Sequence, residues 1–362
     1  MNDPKTDATH SRSSLPWPGP AIVDACFVQS STGQLLALTE DGALFGVDLA
    51  SGARTRRCSL ELPDLARGDV HEHFGVHRYR LHASADGEYA AIVVDYGIEG
   101  VTVRCATGQV TMRLNGGSYH NETVPFSACF VRHNGRNALI HRTAWNRLEV
   151  SDPATGKLLT ERHIAPYERG KRPEHYLDYF HGRLVPSPNG ARLFDDGWVW
   201  QPAAVPCAWS ITDWLGTNPY ESEDGASLVR ITTRDDWNMP SCWLDDRHIA
   251  LWGLADWNDD EFEETGQAPG VRISSVTEGH DPPARKIPMD IKDPVRNLFS
   301  DGQRLFVATK TGTSVWDIAT GTPCAHFDGF TAHLHDRASG RLVSLAPDAI
   351  GVLTPMDSRF RA

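Results

Sequence analysis

The stretch Val295–Phe327 reads VRNLFSDGQRLFVATKTGTSVWDIATGTPCAHF. It alternates short apolar runs with turn signals at Asp301-Gly302, Thr311-Gly312 and Thr320-Gly321. Pairs of this kind between apolar runs are typical of β-hairpins. The stretch therefore predicts four consecutive antiparallel strands: Val295–Phe299, Arg304–Thr309, Ser314–Ile318 and Thr322–Phe327.

The same plan returns about every 40–55 residues, a period that is typical of β-propellers when each unit contains four short strands. The other units begin near Ala25, Tyr79, Phe126, Arg183, Ser241 and Ala332. We therefore predict an all-β fold, a β-propeller with seven blades of four antiparallel strands, and a six-bladed or irregular ring is the alternative. The seventh unit lacks its outer strand. An open sheet edge invites aggregation, so the segment before Ala25 is expected to close the ring.

One segment resembles a known family. Ser314–Gly321 (Ser-Val-Trp-Asp-Ile-Ala-Thr-Gly) resembles the third strand and following turn of a WD40 repeat, and Asp48–Gly52 and Asp152–Gly156 resemble weaker copies. The Trp-Asp pair occurs only at Trp316-Asp317. The likeness extends from about Ala25 to Pro355, and the chain is similar to degenerate bacterial WD40-like propellers. The resemblance implies the fold and assigns no functional residue.

Length, charge and cysteine content narrow the biological setting. The repeats predict one domain over residues 21–362, preceded by a flexible tail over residues 1–20. No apolar run is long enough to span a bilayer, and the N-terminus lacks the apolar core of a secretory signal. The seven cysteines contain no C-x-x-C pair and are expected to be free thiols in the cytoplasm. A net charge of -12 argues against binding to a phosphate backbone. We therefore expect neither nucleic acid nor membrane as a partner.

The connections between blades are the expected functional region, because they meet at one face of a propeller and loops on a rigid frame commonly carry function. These connections are rich in histidine, acidic and aromatic residues. The candidate ligand- or partner-binding residues are His71, His73, His120, Asn121, Glu122, His175, Tyr179, Asp236, Trp237, Trp257 and Phe262.

Three functions fit these residues. The first is a non-catalytic protein-interaction module without a cofactor, whose unidentified partner contacts this face and the acidic segment Ala255–Gly270. Trp257 and Phe262 within that segment favour docking of a basic partner. The second is a metal-dependent hydrolase or lyase, with ligands drawn from His71, His73, His120, Glu122, His175 and Asp236. The third is a small-molecule binder in which Trp237 or Tyr179 stacks on the ligand.

Structural explanations compete with all three functions. Histidine, tyrosine and aspartate side chains can simply hold the loops by hydrogen bonds to the backbone. Trp198 and Trp200 alternate on one face of a predicted strand and are interpreted as packing between blades, with an aromatic recognition surface as the alternative. Convergence of three or more histidine and acidic groups would favour the metal enzyme, whereas local hydrogen bonding of each would favour the interaction module.

Overall fold

The structure is a computed structural model that describes residues 10–31, 33–65, 71, 74–257, 268–277 and 284–355. These residues form seven antiparallel sheets, the blades of a propeller, which confirms the predicted all-β fold class. Two short helices, α1 (Ile211–Gly216) and α2 (Glu221–Asp224), lie in the fourth blade. Among the helices of this described part, none has the length and apolar character needed to cross a membrane.

The strands follow the chain order, with the innermost strand of each blade first. Strand β1 (His10–Pro16) precedes the first blade. Blade 1 contains β2 (Ile22–Ser30), β3 (Gly33–Thr39), β4 (Ala43–Val47) and β5 (Arg54–Ser59). Blade 2 contains β6 (Arg78–Ala83), β7 (Tyr89–Asp95), β8 (Glu99–Arg104) and β9 (Gln109–Asn115). Blade 3 contains β10 (Ala128–His133), β11 (Arg136–Ala144) and β12 (Arg147–Ser151). Blade 4 contains β13 (Phe180–Pro186), β14 (Arg192–Val199), β15 (Ala203–Ala204), β16 (Cys207–Ser210) and β17 (Val229–Arg230).

The last three blades complete the ring. Blade 5 contains β18 (Ser241–Trp243), β19 (His248–Trp252), β20 (Gly270–Ser275) and β21 (Arg285–Pro288). Blade 6 contains β22 (Val295–Ser300), β23 (Arg304–Thr309), β24 (Gly312–Asp317) and β25 (Thr322–Asp328). Blade 7 contains β26 (Leu334–Asp336), β27 (Arg341–Ala346) and β28 (Ala349–Pro355).

Strand alternation explains how the blades pack. In β3, Leu35 and Ala37 contact blade 7, in a cluster with Val343 and Val352. The intervening Leu36 and Leu38 point to the other side and pack with residues of blade 2. Because successive side chains of a strand point to opposite faces, one continuous apolar run supplies two interfaces. The core therefore consists of apolar layers between neighbouring blades.

The N-terminal strand closes the ring, as the repeat pattern predicts. Strand β1 pairs antiparallel with β28 over seven residues, from His10 opposite Pro355 to Pro16 opposite Ala349. Blade 7 is thus built from both ends of the chain. The prediction of a flexible tail over residues 1–20 is wrong for His10–Pro16, which form this strand.

The recurring Asp-x-x-(Thr/Ser)-Gly turn has one geometry in different blades. The Oδ1 atom of Asp48 accepts a hydrogen bond from the backbone N–H of Ser51 at 2.7 Å, and Asp317 accepts one from Thr320 at the same distance. The glycine that follows has φ 72° at Gly52 and 69° at Gly321. This left-handed conformation favours glycine, which explains why the turn repeats with that residue.

Blade 3 departs from the predicted plan. The expected fourth strand over Lys157–His163 is reduced to one bridge, between Ser151 and Leu158. Side chains replace the missing ladder: the Thr160 hydroxyl accepts a hydrogen bond from Val150 N at 3.1 Å. The Arg162 guanidinium donates one to Leu148 O at 2.9 Å. The outer edge of β12 is therefore satisfied without a strand.

Arg162 also joins blade 3 to blade 4. Its side chain is fully buried and forms ion pairs with Glu149 of β12, at 2.8 Å, and with Glu223 of α2. Both carboxylates are almost completely buried, at 2% and 4% exposure. The helix that carries Glu223 lies near a region predicted as the strand Ala208–Leu215. That strand ends at Ser210, whose hydroxyl accepts a hydrogen bond from Asp213 N at 3.1 Å and begins α1.

Candidate functional site

The candidate site lies on the face that carries the connections between blades. Within a blade the strands alternate in direction. The connection to the next blade and the turn between the second and third strands therefore lie at the same end of the propeller. We call this end the junction face.

Five aromatic rings from different segments of the junction face form one continuous stack, which we call the aromatic ladder. Its order is Phe74, Trp237, Trp198, Phe180 and Tyr119. Successive ring centroids are 5.5, 4.9, 4.1 and 5.9 Å apart, with interplanar angles of 25°, 15°, 6° and 16°. Four of these rings come from the connections between blades 1 and 2, 2 and 3, 3 and 4, and 4 and 5, or from the strand start beside them. Trp198 comes from β14.

Further rings pack edge-on against the ladder and extend it to the surface. Trp200 lies 5.4 Å from Trp198 at 78°, and His120 lies 5.2 Å from Trp200 at 82°. Trp198 is buried, with 4% exposure, whereas Tyr119 and Trp200 are 50% and 42% exposed. The interpretation of Trp198 as packing is therefore confirmed, but Trp200 lies beyond the end of β14 and reaches solvent. The ladder has a buried base and an exposed end.

Hydrogen bonds fix the ladder through one residue, Thr123, which belongs to the 3₁₀ turn Asn121–Thr123 between blades 2 and 3. The carbonyl oxygen of Thr123 accepts hydrogen bonds from Trp237 Nε1 and Asn238 Nδ2, both at 2.9 Å. Its hydroxyl accepts one from Trp198 Nε1 at 3.2 Å. Asn121 is buried and donates its own hydrogen bond to Tyr96 O at 2.7 Å. Buried indole N–H groups with partners indicate a rigid arrangement.

The candidate histidines have separate local partners. His120 Nδ1 lies 3.2 Å from Glu122 Oε1. His175 Nδ1 lies 2.8 Å from Asp224 Oδ1, and its ring stacks on Tyr220 at 3.8 Å, against α2. His71 lies in a bridge with Gly75, and its ring is 5.2 Å from Phe74. These contacts place His175 with α2 rather than with the ladder.

A metal site is not assembled in the part of the chain that the structure describes. Within it, no three or more histidine, cysteine, aspartate or glutamate residues are grouped so that they could hold a metal ion. Two of the candidates, His73 and Phe262, lie outside the described residues. Tyr179 lies in the interior, where its hydroxyl donates to Val205 O at 3.1 Å and accepts from Gly197 N at 2.8 Å. Its ring is therefore not available for stacking at the surface.

A second feature of the junction face lies between blades 4 and 5. Trp257 is 42% exposed, and its Nε1 donates to Asp235 Oδ1 at 3.1 Å. Nearby is a cavity of about 140 Å³, which we call the acidic pocket. It is lined by Arg234, Asp235, Asp236, Met239, Trp252, Gly253, Ala255 and Ala268. Arg234 is occupied by an ion pair with Asp196 at 3.1 Å, so the exposed carboxylates of Asp235 and Asp236 dominate the pocket.

Trp145, in the turn between β11 and β12, also packs against the ladder, with its ring 4.5 Å from that of Phe180. Sequence reasoning did not single out Phe74, Tyr119, Trp145 and Phe180 as site residues. Each occurs in a different segment, and only the ring of blades brings them together. Their positions in the sequence could have identified them, because all four flank a blade connection or a turn at the same end of the strands.

Comparison with models of known protein families gives no match, and comparison with curated proteins gives none either. Solved structures do share the architecture. One is the WD40 domain of Pan2 from Neurospora crassa, which superposes with a TM-score of 0.56 at 10% sequence identity. The match covers 98% of this chain and 98% of that chain. At such low identity the similarity concerns the fold alone. The chain therefore has the fold of a WD40 propeller, with seven blades and an N-terminal strand that closes the ring.

Proposed function

We propose that the protein is a non-catalytic interaction module that binds a basic segment of a partner protein on its junction face. The observation that carries the proposal is the exposed end of the aromatic ladder. Tyr119 and Trp200 present large rings to solvent on a base fixed by Thr123. Rigid aromatic side chains lose little conformational entropy on binding and are enriched among the residues that dominate interface energies.

The acidic pocket supports a basic partner. A lysine or arginine side chain could place its aliphatic part against Met239 and Trp252 and its charge near Asp235 and Asp236. Trp257 offers a ring face for a cation at the same place. The segment around Trp257 is strongly acidic, since residues 256–264 read DWNDDEFEE. The whole chain carries a net charge of -12. Complementary charge speeds association and selects partners.

The proposal is tested by selecting binders from a random peptide library displayed on phage, at physiological salt. We expect the enriched peptides to contain lysine or arginine next to an apolar residue. Trp200→Ala at the exposed end of the ladder and Trp257→Ala beside the acidic pocket should each weaken a selected peptide about tenfold or more, as expected for aromatic residues at the centre of an interface. Fluorescence anisotropy with the labelled peptide measures the change.

A matched control separates local recognition from general charge attraction. Asp235→Asn/Asp236→Asn and Asp245→Asn/Asp246→Asn alter the net charge equally. The second pair lies in the turn between β18 and β19, at the opposite end of the propeller. Only the first double variant should weaken binding. Equal losses in both, or peptides without a basic preference, would contradict the proposal.

The expected compartment is the cytoplasm. Cys105 and Cys242 are buried thiols, and burial raises the pKa of each to about 12. Buried thiols of this kind suit a reducing environment. A fluorescent fusion at the C-terminus, followed by cell fractionation, tests this expectation.

A further inference from the structure

The centre of the ring contains a cavity of about 410 Å³. Its walls come from the innermost strands β2, β6, β10, β13, β22 and β26 and from the segment that leads into β18. Many of the lining residues lie at or near the N-terminal ends of these strands, which is the junction-face end. Asn238 and Met239, directly after Trp237 of the aromatic ladder, also line it. The cavity is therefore a central channel beneath the junction face.

The channel has an excess of positive charge although the protein is acidic. Four arginines line it, against two aspartates, which leaves an excess of two positive charges when the histidines are neutral. Asp24 lies 3.6 Å from Arg80, and Asp95 lies 3.1 Å from Arg80 and 3.4 Å from Arg78. Both carboxylates are thus already paired. The other two arginines are Arg183 and Arg296.

The side chains of Arg183 and Arg296 have no direct ion-pair partner. Among the described residues, neither guanidinium lies in a salt bridge or a side-chain hydrogen bond, and both residues are exposed to water. Arg183 is exposed to water within the channel, although the walls of the channel lie close around it. Desolvation by these walls, followed by the charge of Arg80, lowers the pKa of Arg183, and the charges of Asp196 and Asp95 offset only part of this effect. A cation held in this way gains more from a bound anion than one on an open surface does.

Arg296 lies in the same positively charged part of the channel as Arg80 and His333. Burial lowers the pKa of His333, and the charges of Arg296 and Arg80 lower it further. Arg80 therefore acts on both Arg183 and His333, and Arg296 acts on His333, so the positive charges of the channel share one environment. His82 also lines the channel, and its pKa is lowered to about 4, mainly by burial and further by the charges of Arg80 and Arg183. Its Nε2 atom is buried without a hydrogen-bond partner among the described residues.

We propose that the central channel binds a small polyanion, with carboxylate or phosphate groups held by Arg183 and Arg296. Guanidinium groups bind such oxygens through paired hydrogen bonds. His82 Nε2 offers one more contact. The volume suits a small molecule, because ligand pockets commonly measure about 300–1,000 Å³. This site is separate from the docking of a basic segment on the rim, and each can fail without the other.

The test is isothermal titration calorimetry of the full chain with citrate and with pyrophosphate, in chloride buffer at constant ionic strength. We expect at least one of these anions to bind, and Arg183→Gln and Arg296→Gln each to weaken binding about tenfold or more. This is the loss expected for a hydrogen bond to a charged group. Arg113→Gln, an exposed position on the outer strand β9, should bind like the unmodified protein.

The melting temperatures of the unmodified protein and of Arg183→Gln provide a second test. Because Arg183 has no direct ion pair to lose and its pKa is lowered by the protein, Arg183→Gln should melt at or above the temperature of the unmodified protein when no polyanion is present. Added citrate or pyrophosphate should raise the melting temperature of the unmodified protein more than that of the variant. Absence of binding by both anions, equal binding by the Arg183 and Arg113 variants, or a clear loss of stability in Arg183→Gln would overturn the proposal. Tighter binding of a hexaglutamate peptide than of either small anion would overturn the assignment to a small molecule.

Discussion

Deletion of residues 1–16 is expected to lower the free energy of unfolding by about 5 kcal/mol, at about 1 kcal/mol for each lost ladder hydrogen bond. The deletion removes β1 and leaves β28 as an open edge. The exposed strand reads AIGVLTP, which contains no charge and several apolar residues. Such an edge is a template for pairing with other chains. We therefore also expect aggregation that depends on protein concentration, measured by chemical denaturation and light scattering.

Two further proteins make this test specific. Deletion of residues 1–9 leaves β1 in place and should unfold like the full chain. Addition of a synthetic peptide covering residues 8–18 to the longer deletion should restore stability in proportion to its concentration, because it can occupy the edge of β28. If the longer deletion unfolds like the full chain, the pairing of β1 with β28 does not close the ring.

Arg162→Ala is expected to cost about 3–5 kcal/mol, since it leaves buried carboxylates without a counter-ion. Glu149 and Glu223 are both almost fully buried beside this guanidinium. The substitution also removes the hydrogen bond to Leu148 O, which lies on the strand edge that has no neighbouring strand. Urea denaturation, with a check that the slope of the transition is unchanged, measures the effect.

The matched control is Arg147→Ala. Arg147 also pairs with Glu149, but its side chain is 34% exposed. Exposed partners contribute much less, so this change should cost about 1 kcal/mol or less. Equal losses at positions 147 and 162 would show that the burial of Arg162 does not determine its contribution.

Local rules account for most of the fold. The strands of blade 6 were predicted to within about two residues, because hairpin turns and apolar alternation act over a few residues. The resemblance of Ser314–Gly321 to a WD40 strand and turn pointed to the same architecture. Closure by the N-terminal segment was predicted from the missing strand of the seventh unit. The outer edge of blade 3 was not, since Thr160 and Arg162 replace a ladder by side-chain hydrogen bonds that carry no periodic pattern.

The site was less accessible to sequence reasoning. Trp237 and His120 were named, but the ladder depends on rings from several blades, and their distances follow from the ring geometry. The channel charges were missed for a related reason. Arg80 and Arg183 each look like an ordinary polar residue of a strand. Only the closed ring reveals that Asp24 and Asp95 pair with Arg80 and Arg78, while Arg183 and Arg296 line the same channel without a direct ion pair.

The pairing of His10 with Pro355 has a consequence for biosynthesis. Strand β1 leaves the ribosome well before its partner β28 has been made, because the other blades lie between them in the chain. Until then Leu35 and Ala37 of blade 1 have no blade 7 to cover them. Contacts between the two ends of a chain form slowly, and exposed apolar strands are vulnerable in the interval. Each newly made molecule is therefore an incomplete propeller with exposed apolar strands until β1 pairs with β28. We expect chaperones to bind the chain mainly during this interval.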